Sequence, residues 1–201
     1  AHIAAPIAIT VEGANIVTRT LMIFGQGAIR CHPFAYREVI SLQKNDLDNF
    51  DKAFMGHVGH VLKISARFLA LFVSRGYFYL GYGKGPTRRV YQKLSWASSA
   101  FALLTEIAMI TLGGKLKIKE KLTGRFADIL SWLYLITAAL RRFEAEGCKK
   151  EHEPFISYIS DHGFKIINDA FIGIVNNMSF PVVGKILGWL LSPVFAVNTL
   201  S

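Results

Sequence analysis

Thr10-Val11-Glu12-Gly13-Ala14-Asn15-Ile16-Val17-Thr18-Arg19 sets one carboxylate beside a glycine at the head of an apolar run. The run continues through Gly25-Gln26-Gly27-Ala28-Ile29-Arg30-Cys31-His32-Pro33. Residues 1 to 11 are apolar, contain Pro6 and show no helical period, so they read as an extended connection delivering Glu12. Asn15 is of N-cap type, and a helix starting there places Ile16, Leu21, Phe24 and Ile29 on one buried side. Gly25 and Gly27 weaken that helix or admit a neighbouring backbone, and Pro33 stops it. A carboxylate just ahead of a helix serves the helix dipole. Against an apolar wall it can instead serve as a base, because such a wall raises its pKa.

Downstream, the spacing predicts a short helix over residues 34–42 and a turn at Lys44-Asn45-Asp46. A long helix follows to about Arg75, capped by Asp46 or Asp48. Gly76 to Gly85 is a glycine- and tyrosine-rich loop, and Pro86 suits the first turn of the next helix, which runs to about Leu112. Gly113-Gly114 marks a turn or kink. Lys115 to Lys119 alternates with strand period, but the stretch is too short to override the helices on either side. A further helix ends at about Glu146, with Arg141, Arg142 and Gly147 as stop signals. Pro154 opens another to about Asn177, and residues 181–191 form a short apolar helix before an irregular tail. The fold class is all-α: a bundle of long antiparallel helices with short loops.

The chain has 201 residues, 52% of them hydrophobic, with a formal net charge of +9. A basic, apolar-rich chain points to an anionic partner such as a membrane surface, nucleic acid or a phosphorylated ligand, or else to a solvated basic face. Cys31 and Cys148 alone make neither a disulfide framework nor a metal site, and reduced thiols suit a cytoplasmic protein. No uncharged run reaches the length that spans a bilayer, since Glu106 and Arg141 interrupt the apolar helices. The absence of an initiator Met and of a signal-peptide pattern reads as a fragment lacking its upstream domains.

Glu12-Gly13-Ala14 followed by Arg19 resembles the Glu-Gly-(Thr/Ala)-x-x-x-x-Arg signature near the end of the acyl-CoA dehydrogenase catalytic domain. The wording is similar to one branch, the long bacterial fatty-acid-degradation enzymes with an extra C-terminal helical region. The resemblance continues through His57-Val58-Gly59-His60-Val61, Leu112-Gly113-Gly114-Lys115-Leu116-Lys117 and Arg125-Phe126-Ala127-Asp128-Ile129-Leu130-Ser131, and fades after Gly147. It implies that residues 1–45 end the catalytic domain and that residues 46–201 form an appended helical domain. It implies FAD, held mainly by missing upstream domains, and oxidation of acyl-CoA to trans-2-enoyl-CoA in the first step of fatty-acid β-oxidation. Glu12 would be the base that takes the α-proton, with its backbone N–H donating to the thioester oxygen. Gly13, Ala14, Asn15 and Ile16 would lie near substrate or cofactor, Ala14 departing from the commoner Thr. Arg19 would serve as a structural ion pair. A homo-oligomer and an electron-transfer acceptor are implied as partners, and the fragment alone is expected to be inactive.

His57 and His60 share a helical face, but two histidines with no third ligand nearby make a poor metal site, so none is expected. His32-Pro33 carries no independent chemistry on this reading. Lys115, Lys117, Lys119 and Lys121 interleave with Leu116, Ile118 and Leu122, a strip suited either to an anionic bilayer or to a solvated loop. Very-long-chain relatives carry an additional C-terminal helical region associated with membrane binding, which supports the bilayer analogy and leaves the solvated loop as an equal alternative. The location expected is the cytoplasm, or on the bilayer reading the inner face of the bacterial membrane. The rival reading is a non-catalytic helical module that docks to a membrane or a subunit. Nucleic acid is not expected, for want of any binding motif.

Overall fold

The structure, a computed structural model, describes residues 5–83 and 85–177. Among them there are helices and no strand. The first helix, α1 (Ala5–Val17), runs without a break into a π-helical stretch, Thr18–Gln26, and then into α2 (Gly27–Cys31). After these come α3 (Ala35–Gln43), α4 (Leu47–Val73), α5 (Arg88–Leu112), α6 (Glu120–Ala145) and α7 (Glu153–Asn177). Short 3₁₀ turns at Gly85–Thr87, Gly113–Ile118 and Lys150–His152 lead into or join the long helices. The expected helix over 181–191 and the tail after it lie outside the described residues.

The start of the chain corrects two expectations. Residues 5–11 are helical, not extended, and Asn15 lies inside α1 and caps nothing. Pro6 is tolerated because it falls in the first turn, where a missing N–H leaves no bond unmade. The expected buried side also breaks up: Phe24 is buried, Leu21 and Ile29 are half-buried, and Ile16 is exposed. A π turn holds more residues than an α turn, so positions spaced for one α face rotate apart. Thr20 Oγ1 donates back to the Ile16 carbonyl at 2.8 Å, and a Cβ at Gly25 would sit 3.1 Å from the Thr20 oxygen. The glycine permits the tight turn.

Asp46 caps α4 by accepting from the Asn49 N–H at 3.2 Å, and Asn45 turns the chain ahead of it with φ +53°. Gly76, φ +82°, is required where the chain leaves α4: a Cβ there would meet the Gln92 carbonyl at 2.8 Å. Between α6 and α7 a Cβ at Gly163 would stand 2.7 Å from both Ile136 and Trp132, so a glycine is what lets these helices approach.

The core lies between the π stretch, α5, α6 and α7. Phe24 stacks on Phe126 at 4.2 Å between centroids, and Phe101 meets both edge-on. These rings fasten the N-terminal segment to α6. Phe126 is wholly buried, so Phe126→Ala should cost about 3–5 kcal/mol, read from urea unfolding of the chain. A loss below about 1 kcal/mol would show that the ring stack is not a structural contact.

The span Gly85–Ile118 is long and apolar enough by composition to cross a bilayer, although Glu106 interrupts its uncharged run as expected. In the fold α5 is the central bundle helix, with twelve buried residues including Glu106. The basic strip after it is a 3₁₀ turn, not a strand. Leu116 and Leu122 turn into the core, which leaves Ile118 as the exposed apolar residue between the lysines.

Candidate functional site

Every residue from Thr10 to Arg19 is exposed. Glu12 therefore stands on an open face of α1, with Gly13, Ala14, Asn15 and Ile16 beside it. A Cβ added at Gly13 would meet nothing within 4 Å, so the backbone there is open to approach. Val11, Ile16 and Val17 expose apolar surface on the same helix. The described residues bring no wall against Glu12.

Arg19 reaches across to α6. Its Nε donates to Asp128 Oδ1 at 2.6 Å, and Nη2 donates to Oδ2. This bidentate pair ties the start of the π stretch to α6, in a geometry that an Arg–carboxylate fork favours. Gly124, one turn earlier on α6, leaves room for Thr20 and the Arg19 guanidinium, 3.5 and 3.9 Å from where its Cβ would be. The negative charge of Glu12 also acts on Arg19.

A second constellation lies where α3, α4 and α5 meet. Glu106 enters the bundle from α5, and its side chain is 3% exposed. His32 Nε2 is 2.8 Å from Glu106 Oε1, and His57 Nε2 is 3.0 Å from Oε2. His57 Nδ1 is 2.8 Å from Glu38 Oε1. His60 Nε2 lies 3.8 Å from Glu106 Oε1, beyond hydrogen-bonding distance. His32 Nδ1 accepts from the backbone N–H of Phe34 and of Ala35, at 3.2 and 2.8 Å, and so holds the start of α3. A Cβ at Gly56 would strike the Phe34 ring at 2.4 Å. Glycine at that position lets Phe34 pack beside the histidines, where it lies stacked at 6.4 Å from His57.

Burial pulls the His57 imidazolium down. Its hydrogen bonds to Glu106 and Glu38, and the charges of both, outweigh that, so His57 titrates above the ordinary histidine value. His60 titrates below it: burial leads, the positive charges of His32, His57 and Lys63 add to it, and Glu106 opposes. Two histidines one turn apart are thus driven in opposite directions.

The view of His57 and His60 as a pair with nothing third nearby does not survive: Glu106 faces both, and His32 bonds to the same carboxylate. The helix spacing did put the first two on one face. What it could not show is that the turn at His32-Pro33 folds back onto that face, or that Glu106 is drawn inward to meet it. The available signal was a single acid within an otherwise apolar helix. A residue of that kind inside a bundle has to find partners.

Beside the cluster is an apolar groove of about 580 Å³. Val39, Phe54, Val58 and Ile110 are among its walls, and Glu38 and His57 form its polar edge.

No solved structure matches the chain. A family profile described as acyl-CoA dehydrogenase, C-terminal, bacterial type, matches residues 29–200. That span holds the buried Glu106 cluster and α3 to α7, and leaves Glu12 and Arg19 just ahead of it. With an all-helical bundle of this order and a match over most of its length, the chain belongs to the C-terminal family of bacterial-type acyl-CoA dehydrogenases.

Proposed function

We propose that this chain is the C-terminal part of a flavin-dependent acyl-CoA dehydrogenase that converts acyl-CoA to trans-2-enoyl-CoA, opening fatty-acid β-oxidation. The family match carries the reading. In it, residues 1–45 end the catalytic domain and residues 46–201 form the appended one, the match itself beginning at residue 29. Glu12 is the base for the α-proton, and its own N–H helps hold the thioester oxygen as negative charge builds there. FAD, when bound, supplies the hydride acceptor. The open backbone at Gly13 and the uncovered apolar residues of α1 fit a face that substrate and cofactor close over. Such closure would provide the apolar wall that a carboxylate base needs. The Arg19–Asp128 fork holds α1 in register with the bundle.

The partners in this reading are acyl-CoA, an electron-transfer acceptor and a second copy of the enzyme, in the cytoplasm or at the inner face of the membrane. The rival, a helical module that docks without catalysing, has less support than the sequence suggested, because two of the three apolar residues in the basic strip are buried. The test is to purify the enzyme with its upstream domains. It should be yellow and should reduce a dye with palmitoyl-CoA, whereas the 201-residue chain should be colourless and inactive. A colourless, inactive longer enzyme would overturn the reading.

A further inference from the structure

Apart from the apolar groove, the bundle has a recess of different character, about 420 Å³ in volume. It lies where α4, α5 and α6 meet the loop between α4 and α5. From α5 come Tyr91, Ser95 and Ser98, at the i, i+4, i+7 spacing of one helical face. Arg67 reaches in from α4 and Arg141 from α6. Tyr79 and Tyr82 come from the loop, which closes on itself where the Tyr82 N–H donates to Tyr79 Oη at 3.2 Å. The lining thus holds two guanidiniums and no carboxylate.

Its polar groups are only partly satisfied. Arg67 Nη2 donates to Ser95 Oγ at 3.2 Å and forms no ion pair among the described residues. Ser95 is 7% exposed, and its own hydroxyl proton has no acceptor among the described residues. Ser98 has no hydrogen-bond partner among them either. Arg141 lies over the Tyr82 ring at 5.1 Å, and it stands 3.7 Å from Glu144 Oε2, too far for a hydrogen bond. Glu144 is already engaged, accepting from Thr87 Oγ1 at 2.8 Å and from Tyr91 Oη at 3.2 Å. Burial and the Glu144 charge push the Tyr91 hydroxyl up to about 12, so it stays protonated and keeps donating.

We propose that this recess binds a nucleotide, with Arg67 and Arg141 on its phosphate, Ser95 and Ser98 donating to the phosphate oxygens, and the base against the tyrosine rings of the loop. A guanidinium fork matches two phosphate oxygens at once. An anion here supplies the acceptor that the buried Ser95 hydroxyl lacks, and it offsets two charges that no lining carboxylate offsets. A flat base is the group that ring faces hold by stacking, without a matching set of hydrogen bonds. Tyr82 already carries one planar cation, the Arg141 guanidinium, on its ring. The volume falls within the range of small-molecule pockets, about 300–1,000 Å³. The formal net charge of +9 draws anions toward the chain as a whole. None of α4, α5 and α6 carries Glu12, so the site does not depend on Glu12 being the base.

The experiment is calorimetric titration of the 201-residue chain with AMP, adenosine and inorganic phosphate at low salt. AMP should bind one to one with a Kd below about 1 mM. Adenosine lacks the phosphate and inorganic phosphate lacks the base, and each should bind at least about tenfold more weakly. Arg67→Ala and Arg141→Ala should each weaken AMP binding at least about tenfold. Both side chains are exposed, so Tm should stay within about 2 °C of the parent. If one arginine variant does not fold, the other decides. Lys117→Ala removes an exposed cation outside the recess and should leave AMP binding unchanged. No heat with millimolar AMP overturns the site. So does adenosine or inorganic phosphate binding as tightly as AMP, or AMP binding undiminished in the arginine variants. An equal loss in Lys117→Ala also overturns it, because it would show only diffuse attraction to a basic surface.

Discussion

Replacing Glu106 by alanine should lower the stability of the chain by about 3–5 kcal/mol, which in a domain of this size is roughly 6–20 °C in Tm. Three losses combine. The His32 Nε2–H, 6% exposed at its side chain, is left without an acceptor, and a buried donor stranded in this way costs about 1–3 kcal/mol. His57 keeps Glu38 but loses the second carboxylate that holds its charge. The space vacated by the side chain lies where α3, α4 and α5 meet, so its collapse loosens three helices together. Glu106→Gln should cost less, about half as much, because one oxygen still accepts a hydrogen bond. Urea unfolding measures both. An alanine variant within about 1 kcal/mol of the parent would mean that the histidines find other partners and that the cluster does not hold the fold.

The helices themselves were legible because they obey local rules. Asp46 as a cap, Gly147 as a stop and the long apolar periods over α4 to α7 each depend on residues within a few positions of one another. The beginning of the chain was misread for a local reason as well. Pro6 and the lack of a regular period suggested an extended connection, while a π-helical stretch shifts the face on which apolar residues fall. The cluster was hidden for a different reason. His32, Glu38, His57 and Glu106 are separated by up to 74 positions, and only the packing of α3 and α5 on α4 brings them together. Arg19 with Asp128 is similar: each belongs to a recognisable stretch, but their pairing is a property of the folded bundle.

On the proposed function, Glu12→Gln in an enzyme that carries the upstream domains should reduce kcat/KM for acyl-CoA by about 10²–10⁴, a barrier increase of about 3–5 kcal/mol. The amide has the size and polarity of the carboxylate but cannot take a proton. What is lost is therefore the transfer itself, and substrate binding should change only a few-fold. The exposed position of Glu12 on α1 makes this a clean comparison. An exposed side chain contributes little to folding, so the variant should match the parent in Tm within the effect of about 0.5 kcal/mol. Glu12→Asp keeps a base but shortens its reach and should fall between the two, since proton transfer tolerates little misplacement. A dye-reduction assay with palmitoyl-CoA under saturating and limiting substrate separates kcat from KM. Turnover within a few-fold of the parent would remove Glu12 as the base. The catalytic carboxylate would then have to come from another helix, and the segment would be left with the role that the Arg19 fork to Asp128 gives it, fastening the N-terminal helical run to α6.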